Sequence, residues 1–257
     1  MIIKAKTIQG YKLKGIDGEV GKVKEFFFDD TYWTIRYLVA DTGRWLSTRK
    51  VLISPYFLQK IDYVSELVNV DLTKSQIENS PPLENDKPVS RQYEESYYEY
   101  YESPVYWRGS NMWGSSSFIE RDREKWESDI VMDENTWETS LRSTMDVSGY
   151  NIQASDDEIG HVDDFFIDDE TWAIRYLIID TKRWLPGKKV LISPQWIDKI
   201  SWMESKVFVN MLRDTIKNAP EYMEEEVLNR EYESNLYRYY GRQGYWMDEP
   251  ATREYHR

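Results

Sequence analysis

The sequence predicts a mainly β protein that contains two copies of one small domain. The segment from Gly10 to Trp107 returns at Gly149 to Trp246, with every residue number raised by 139 and no gap. Between Gly10–Pro55 and Gly149–Pro194, 26 of the 46 aligned positions are identical. Ungapped repetition is typical of a duplicated structural unit. Short runs of β-branched and aromatic residues, separated by Asp, Gly and Ser, indicate that the unit consists of strands.

Five or six antiparallel strands are predicted in each copy. The clearest are Val20–Phe28, Thr34–Asp41, Lys50–Ile53, Ile61–Val64 and Leu67–Val70, with the partners Ile159–Ile167, Ala173–Asp180, Lys189–Ile192, Ile200–Met203 and Val207–Val209. Short connections between strands favour antiparallel pairing. In Thr34–Asp41 both faces carry apolar side chains, because successive side chains of a strand point to opposite sides. One face can fill a small barrel, and the other needs a cover.

The end of each copy is predicted to supply this cover as two short helices. Asp71 or Thr73 is a candidate cap for the first helix, which ends before Pro81, and Asn210 and Pro220 stand at the matching positions. An aromatic stripe with helical spacing indicates the second helix. Its residues are Tyr93, Tyr97, Tyr100 and Tyr101, matched by Tyr232, Leu236, Tyr239 and Tyr240. We expect this stripe to pack on the barrel, with the phenol hydroxyls near the rim.

The repeat divides the chain into three predicted regions. Residues 1–107 form the first repeat with its aromatic tail, residues 108–144 a polar linker, and residues 145–257 the second repeat with its tail. A barrel of about 60 residues buries a modest share of its surface and is marginally stable alone. We therefore expect the two barrels to pair within the chain as a pseudo-two-fold unit. Further association into a homo-oligomer stays open.

Composition excludes several classes of function. A net charge of −13 repels phosphate backbones and disfavours nucleic acid. The apolar runs are far shorter than the roughly 20 residues that cross a bilayer, so no membrane insertion is expected. The N-terminal residues lack the pattern of a secretory signal, and a cytoplasmic location is the simplest expectation. Because the chain has no cysteine, disulfides, thiolate nucleophiles and zinc-thiolate sites are excluded.

Two aspartate doublets are the strongest candidates for chemistry. They are Asp29-Asp30 and Asp168-Asp169, at matching positions of the two copies. Asp is favoured in turns because its carboxylate accepts hydrogen bonds from nearby backbone N–H groups, and both doublets lie where a hairpin should turn. We favour this interpretation. The alternative is a cation site, since clustered carboxylates also bind calcium.

Charged and aromatic residues within the strands are candidates for an interface between the barrels. The charged positions are Arg36, Asp41, Arg175 and Asp180, and the aromatic ones are Trp33 and Trp172. Charged groups at half-buried positions are generally paired, so a structural ion pair or an interface contact is expected at the charged positions rather than catalysis. The two histidines, His161 and His256, do not occupy matching positions. A metal site or triad shared by both copies is therefore not expected.

Three motifs in each copy resemble PRC-barrel domains. They are Gly18–Asp30, Trp33–Val39 and Lys50–Pro55, and again Ile159–Asp169, Trp172–Ile178 and Lys189–Pro194. The resemblance covers both predicted barrels. It implies a small, strongly bent antiparallel barrel, which also occurs in the cytoplasmic part of the photosynthetic reaction-centre H subunit and in ribosome-maturation factors. The family has no common enzymatic activity, and the resemblance implies an adaptor or assembly role.

The sequence thus predicts a cytoplasmic protein without enzymatic activity or cofactor, which acts as a protein–protein interaction or assembly module. Its partner is expected to be another protein of unknown identity. The alternative is small-ligand or cation binding, or support of proton or electron transfer as in the reaction-centre H subunit, at the surface between the barrels. No transmembrane helix like that of the H subunit is predicted in this chain.

Overall fold

Strands dominate the fold, which a computed structural model describes for residues 1–46, 49–84, 88–107, 141–181, 188–223 and 228–247. In these residues two mixed sheets occur together with six short helices. The chain divides into two compact units. One consists of Met1–Ser148 with Asp164–Arg175, and the other of Gly149–Asp163 with Tyr176–Arg257. Because residues 164–175 lie in the second repeat, the first unit contains residues of both repeats.

The first unit contains an eight-stranded sheet. Strand β1 (Ile2–Lys4) comes first in the chain and does not belong to this sheet. The eight strands of the sheet are β2 (Lys12–Gly15), β3 (Gly18–Asp29), β4 (Thr34–Asp41), β5 (Arg49–Ile53), β6 (Leu58–Asp62), β7 (Leu67–Val70), β8 (Leu83–Glu84) and β9 (Leu141–Ser143). The order is β6-β7-β2-β3-β4-β5-β8, and β9 pairs with β3. All pairs are antiparallel except β2 with β7, which is parallel. Strand β4 is buried on both faces, as its apolar pattern predicts.

The helices of the first unit are short, and all of them except α1 begin after a residue whose side chain caps the helix. They are α1 (Ala5–Ile8), α2 (Lys74–Glu78), α3 (Arg91–Tyr100) and α4 (Thr144–Val147). Helix α2 begins after Thr73, which forms a capping box with Gln76. Helix α3 begins after Ser90, whose hydroxyl accepts a hydrogen bond from the Tyr93 N–H. Tyr97 and Tyr98 of α3 belong to a buried cluster with Tyr37 and Leu52 of the sheet, so α3 supplies the predicted cover.

The second unit repeats this order of elements. Its strands are β10 (Asn151–Gln153), β11 (Glu158–Asp168), β12 (Ile174–Asp180), β13 (Lys189–Ile192), β14 (Ile197–Ser201) and β15 (Lys206–Val209), and its helices are α5 (Arg213–Lys217) and α6 (Arg230–Tyr239). The order is β13-β12-β11-β10-β15-β14, with β10 parallel to β15. The ends of β11 and β12 near the turn at residues 169–173 belong to the first unit. Helix α5 begins after Leu212 and not after the predicted cap Asn210.

Three expectations need correction. The sheets are mixed rather than purely antiparallel, because β2 and β10 each lie between an antiparallel neighbour and a parallel one. Neither sheet closes into a barrel among the described residues, since each strand order ends in two separate edge strands. The predicted linker 108–144 is shorter at its end, because residues 141–143 form β9 and residue 144 begins α4. The rest of that linker, 108–140, lies outside the described residues.

Two glycines allow a close backbone approach at matching positions of the two repeats. A Cβ atom at Gly21 would lie 2.2 Å from the Asp41 carbonyl oxygen, and one at Gly160 would lie 2.2 Å from that of Asp180. No side chain fits at either position without a backbone shift. None of the described helices has the length and apolar character needed to cross a bilayer.

Candidate functional site

A buried glutamate surrounded by hydrogen-bond donors lies between α3 and the sheet of the first unit. The Glu94 Oε1 atom accepts hydrogen bonds from the Tyr37 hydroxyl at 3.0 Å and the Tyr106 hydroxyl at 2.8 Å. Its Oε2 atom accepts one from Arg91, one helical turn earlier, at 2.9 Å. The exposed fraction of Glu94 is 0%. We call Glu94, Tyr37, Tyr106 and Arg91 the first cage.

Burial dominates the electrostatics of the first cage. Removal from water raises the pKa of Glu94 to about 7, although Arg91 and the two phenol donors favour the ionised form. Burial and the nearby Glu94 carboxylate also raise the pKa of the Tyr37 and Tyr106 hydroxyls well above the usual range. Both phenols therefore carry their protons at neutral pH. The Glu94 carboxyl group can gain or lose a proton near neutrality.

The second unit contains the same arrangement at the matching positions. The Glu233 Oε1 atom accepts hydrogen bonds from the Tyr176 hydroxyl at 2.8 Å and the Tyr245 hydroxyl at 2.9 Å. Arg230 lies 3.2 Å from the Oε2 atom. We call Glu233, Tyr176, Tyr245 and Arg230 the second cage. Each of these residue numbers exceeds that of its partner in the first cage by 139, so the cages occupy matching positions of the two sequence repeats.

A tryptophan closes each cage on the outside. The Arg91 guanidinium lies 4.0 Å from the centre of the Trp107 ring, and the Arg230 guanidinium lies 4.3 Å from that of Trp246. Attraction between a cation and the face of an indole ring stabilises both contacts. Each arginine thereby links the buried glutamate to the end of the aromatic tail.

The sequence predicts that the phenol hydroxyls of the aromatic stripe lie near the rim. The structure places only some of them there. The Tyr97 hydroxyl accepts a hydrogen bond from the Ser54 N–H at 3.0 Å and donates one to the Leu52 carbonyl at 3.3 Å, and both bonds are buried. The Tyr100 hydroxyl does lie near the surface, where it bonds to the Gln76 carbonyl. The stripe therefore fixes the helix to the backbone of the sheet as well as filling space.

The aspartate doublets lie in hairpin turns, and protein donors surround their carboxylates. Asp29 accepts hydrogen bonds from the Thr31 and Tyr32 N–H groups, and Asp168 accepts one from the Glu170 N–H. The second member of each doublet has an ion pair in the first unit. Asp30 pairs with Arg142 at 2.6 Å, and Asp169 contacts the N-terminal amine of Met1 and the Tyr63 hydroxyl.

The pKa directions in these turns differ. Burial raises the pKa of Asp30 despite the Arg142 charge. Burial also opposes ionisation of Asp168, but Arg175 and the hydrogen-bond donors outweigh it and lower the pKa of Asp168. Among the described residues, no group of three or more His, Cys, Asp or Glu side chains has an arrangement that could hold a metal ion.

Among the charged interface candidates, the arginines have matching partners in the two copies, whereas the aspartates differ in exposure. Arg36 is fully buried, pairs with Asp29 at 3.1 Å and lies 4.0 Å from the Tyr106 ring centre. Arg175 pairs with Asp168 at 2.9 Å. Asp41 is exposed and accepts a hydrogen bond from the Gly43 N–H, whereas Asp180 is buried at the end of β12. Both arginines thus bind the first aspartate of the doublet in their own repeat.

Trp33 and Trp172 come together within the first unit. Each occupies the left-handed backbone region at the end of its hairpin turn, with φ of 53° and 61°. The Ile35 N–H donates to the Trp172 carbonyl at 2.8 Å, and the Ile174 N–H donates to the Trp33 carbonyl at 2.7 Å. The turns of the two repeats are therefore bonded directly to each other.

The strands that precede the repeats are exchanged between them. We call β1 and β9 the leader strands. In the first unit β1 pairs with β11 of the second repeat, and β9 pairs with β3 of the first repeat. The helices that follow continue this exchange, because Lys6 N–H donates to Asp164 and Phe26 N–H donates to the Thr144 hydroxyl. The contact between the repeats is thus reciprocal.

Sequence reasoning missed the cages and the leader strands. Glu94 and Glu233 were available as a signal, because each stands three residues after an arginine at matching positions of the two tails. The leader strands gave no comparable signal. Ile2–Lys4 and Leu141–Ser143 share no identical residue at matching positions.

Comparison with known families supports the β-rich assignment of the second repeat. A family model described as the PRC-barrel domain matches residues 145–210, so a PRC-barrel domain is present in this part of the chain. The matched range extends from α4 to the end of β15 and stops before the tail that contains Glu233. No curated protein matches the chain.

Proposed function

We propose that the chain is a non-catalytic tandem PRC-barrel protein that acts as a protein–protein interaction or assembly module. In this proposal the first repeat is also a PRC-type domain, and the two domains pair with pseudo-two-fold symmetry. The ungapped identity between the repeats supports the extension from residues 145–210 to the first copy. The observation that carries the proposal is the reciprocal exchange of leader strands, which is typical of a module specialised in pairing.

The distribution of charged groups supports a non-catalytic role. Arg36, Arg175 and the aspartate doublets are engaged in turns and ion pairs of the protein itself. A catalytic acid or base needs access to a substrate proton within hydrogen-bond reach. Glu94 and Glu233 are buried under the tail and bonded to protein donors on both oxygens. These carboxylates stabilise the tail rather than meet a substrate.

Two matching hairpin tips are the surface that we assign to a partner protein. Val64 lies between β6 and β7, Met203 lies between β14 and β15, and both side chains are almost fully exposed. Their positions differ by 139, so each repeat presents one apolar side chain at the same point. Substitution of an exposed side chain usually changes stability little, so these two positions can be changed without unfolding the protein.

A capture experiment tests the proposal. The wild-type protein and the double variant Val64→Glu/Met203→Glu are immobilised, and proteins from a lysate of the source cells are identified by mass spectrometry. We expect a defined set of proteins that the wild type enriches and the variant does not. Lys60→Glu is a control for added negative charge on an exposed strand residue. Enrichment of nothing above background, or equal capture by wild type and double variant, contradicts the proposal.

A further inference from the structure

Each tail ends in a tryptophan that contacts the tyrosine of a tyrosine–glutamate pair. The ring centres of Trp107 and Tyr106 are 4.9 Å apart, and the Tyr106 hydroxyl donates to Glu94 at 2.8 Å. In the second unit the Trp246 and Tyr245 rings are 5.2 Å apart, and the Tyr245 hydroxyl donates to Glu233 at 2.9 Å. Both tryptophans are only partly buried. The order from the outside inwards is therefore indole, phenol, carboxylate in both units.

Indole and phenol rings are the side chains that lose a single electron most readily in a protein without thiols, and this chain has no cysteine. An oxidised phenol is a strong acid, so its oxidation is easiest where a base already accepts the hydroxyl proton. The Glu94 and Glu233 carboxylates hold this position by direct hydrogen bonds. A positioned carboxylate at this distance is suited to proton transfer.

The arginines raise the energy of an oxidised indole. A tryptophan that has lost one electron is a cation, and Arg91 and Arg230 lie 4.0 Å and 4.3 Å from the two indole rings. Repulsion between like charges at this distance destabilises the oxidised indole. The neutral phenoxyl radical next to it carries no such penalty. The proton that reaches the glutamate weakens its ion pair with the same arginine, so the step inwards depends on the phenol losing its proton together with its electron.

We propose that Trp107–Tyr106–Glu94 and Trp246–Tyr245–Glu233 are one-electron relays that carry oxidation from the protein surface to a buried tyrosine. The ligand class is a one-electron oxidant, such as a small inorganic radical. The oxidant takes one electron from the indole and is reduced by one electron. One electron then passes from the phenol to the indole cation, and the phenol proton moves to the glutamate Oε1 atom. The products are a restored tryptophan, a neutral phenoxyl radical and a neutral carboxylic acid.

The second tyrosine of each cage holds the glutamate in position for the transfer. Tyr37 and Tyr176 also donate to the Oε1 atoms of Glu94 and Glu233. After transfer the carboxylic acid donates back to the phenoxyl oxygen and still accepts from this second phenol. The reverse step thus restores the starting state when a reductant supplies an electron. The relay goes beyond the proposed assembly role and does not depend on it.

Pulse radiolysis of the full-length protein tests the relay. Azide radicals oxidise tryptophan, and the absorbance of the tryptophan radical is then followed together with that of the tyrosine phenoxyl radical. We expect a phase in which the first signal converts into the second at a rate independent of protein concentration. The double variant Tyr106→Phe/Tyr245→Phe should lose this phase, and Glu94→Gln/Glu233→Gln should slow it several-fold and reduce its solvent deuterium isotope effect.

A matched control separates the relay from packing. Tyr93→Phe/Tyr232→Phe removes two phenols whose hydroxyls bond to the Pro81 and Pro220 carbonyls, outside both cages. This variant should keep the wild-type phase. Circular dichroism shows whether each variant is folded. If the phenylalanine variant does not fold, the glutamine variant still tests the relay, because glutamine keeps an oxygen that accepts the phenol hydrogen bonds. Wild-type kinetics in either cage variant, or equal loss in the control variant, overturns the proposal.

Discussion

The two cages have the same four residue types at matching positions, yet water reaches them to different extents. The Arg91 side chain is 9% exposed, whereas the Arg230 side chain is 54% exposed. The first cage also has Arg36 stacked on Tyr106. The hydrogen bonds to the glutamate are therefore the same in the two cages, whereas the solvent access of the arginine differs. Since a charge costs more when it is removed from water, the first cage depends more strongly on complete pairing.

The tails that hold the cages differ in a compensating way. Tyr97 is replaced by Leu236, and Phe57 is replaced by Trp196. In the first tail, Tyr97 contacts Tyr98 and Phe57 contacts Tyr101. In the second tail, Trp196 contacts Tyr237 and Tyr240. A smaller residue at one position is thus balanced by a larger one at the other. Cores tolerate such exchanges when the total volume is kept.

Removal of the glutamates is the strongest test of the difference between the cages. Glu94→Ala removes the carboxylate that pairs with the buried Arg91 and should lower the free energy of unfolding by about 3–5 kcal/mol. Glu233→Ala should cost less, about 1–3 kcal/mol, because Arg230 can be solvated and mainly two phenols lose their acceptor. Urea unfolding followed by circular dichroism measures both. Equal losses would show that exposure of the arginine does not decide the cost.

The first cage should also make stability depend on pH. The pKa of Glu94 is about 7 in the folded protein and 4.5 for an ordinary glutamate. As the pH rises from about 4.5 to about 7, the unfolded chain loses this proton first, so the folded state becomes less stable. The loss is on the order of 3 kcal/mol.

The Glu94→Gln variant measures this effect, because glutamine has no proton to lose. Urea unfolding at pH 5 and pH 8, both within about 2 units of neutrality, should show that the wild type loses stability relative to the variant as the pH rises. Glu95→Gln on the exposed side of the same helix controls for the change in net charge. A difference between wild type and Glu94→Gln that stays constant with pH would contradict the assignment.

The close backbone approaches predict equal behaviour of the two repeats. Gly21→Ala and Gly160→Ala each place a Cβ atom 2.2 Å from a carbonyl oxygen. Each should lower the free energy of unfolding by more than about 1 kcal/mol, and by similar amounts. Gly43→Ala is the control, since a Cβ atom there meets no atom within 4 Å. A Gly43→Ala loss as large as the other two would mean that backbone conformation, not the close approach, determines the cost.

The smallest effect is expected for calcium. Asp29, Asp30, Asp168 and Asp169 all accept hydrogen bonds or ion pairs from the protein, so binding of a cation would have to break these contacts. Calorimetric titration should show no heat of binding, and the melting temperature should not change. Magnesium is the control for unspecific charge screening. Saturable heat with calcium alone would instead support the cation site.

The sequence predicted the strands with long apolar patterns and failed for the shortest ones. The bounds of β4, β7 and β13 agree with the prediction, because β-branched and aromatic residues in these segments favour a strand. Strand β2 has two lysines in four residues, and only contacts with distant segments make it a strand. Its parallel pairing with β7 depends on the same distant contacts. Local patterns do not encode them.

The cages could not be predicted for a related reason. A glutamate within a helix is normally a solvated residue, and Glu94 is buried only because Tyr106 and Trp107 cover it after the helix ends. The aromatic stripe identified the face of α3 that packs on the sheet. The stripe gave no information on the cover of Glu94 by Tyr106 and Trp107. The matched Arg–Glu pairs in both tails are the sequence signal of these buried sites.

The exchange of leader strands has a consequence for behaviour in dilute solution. Two separate copies of one repeat would have to meet, and their association would weaken as the concentration falls. Here both leader strands belong to one covalent chain, so each meets its partner at a fixed effective concentration that dilution does not lower. The joined repeats are also free to diverge, since a substitution in one copy no longer appears twice in the assembly.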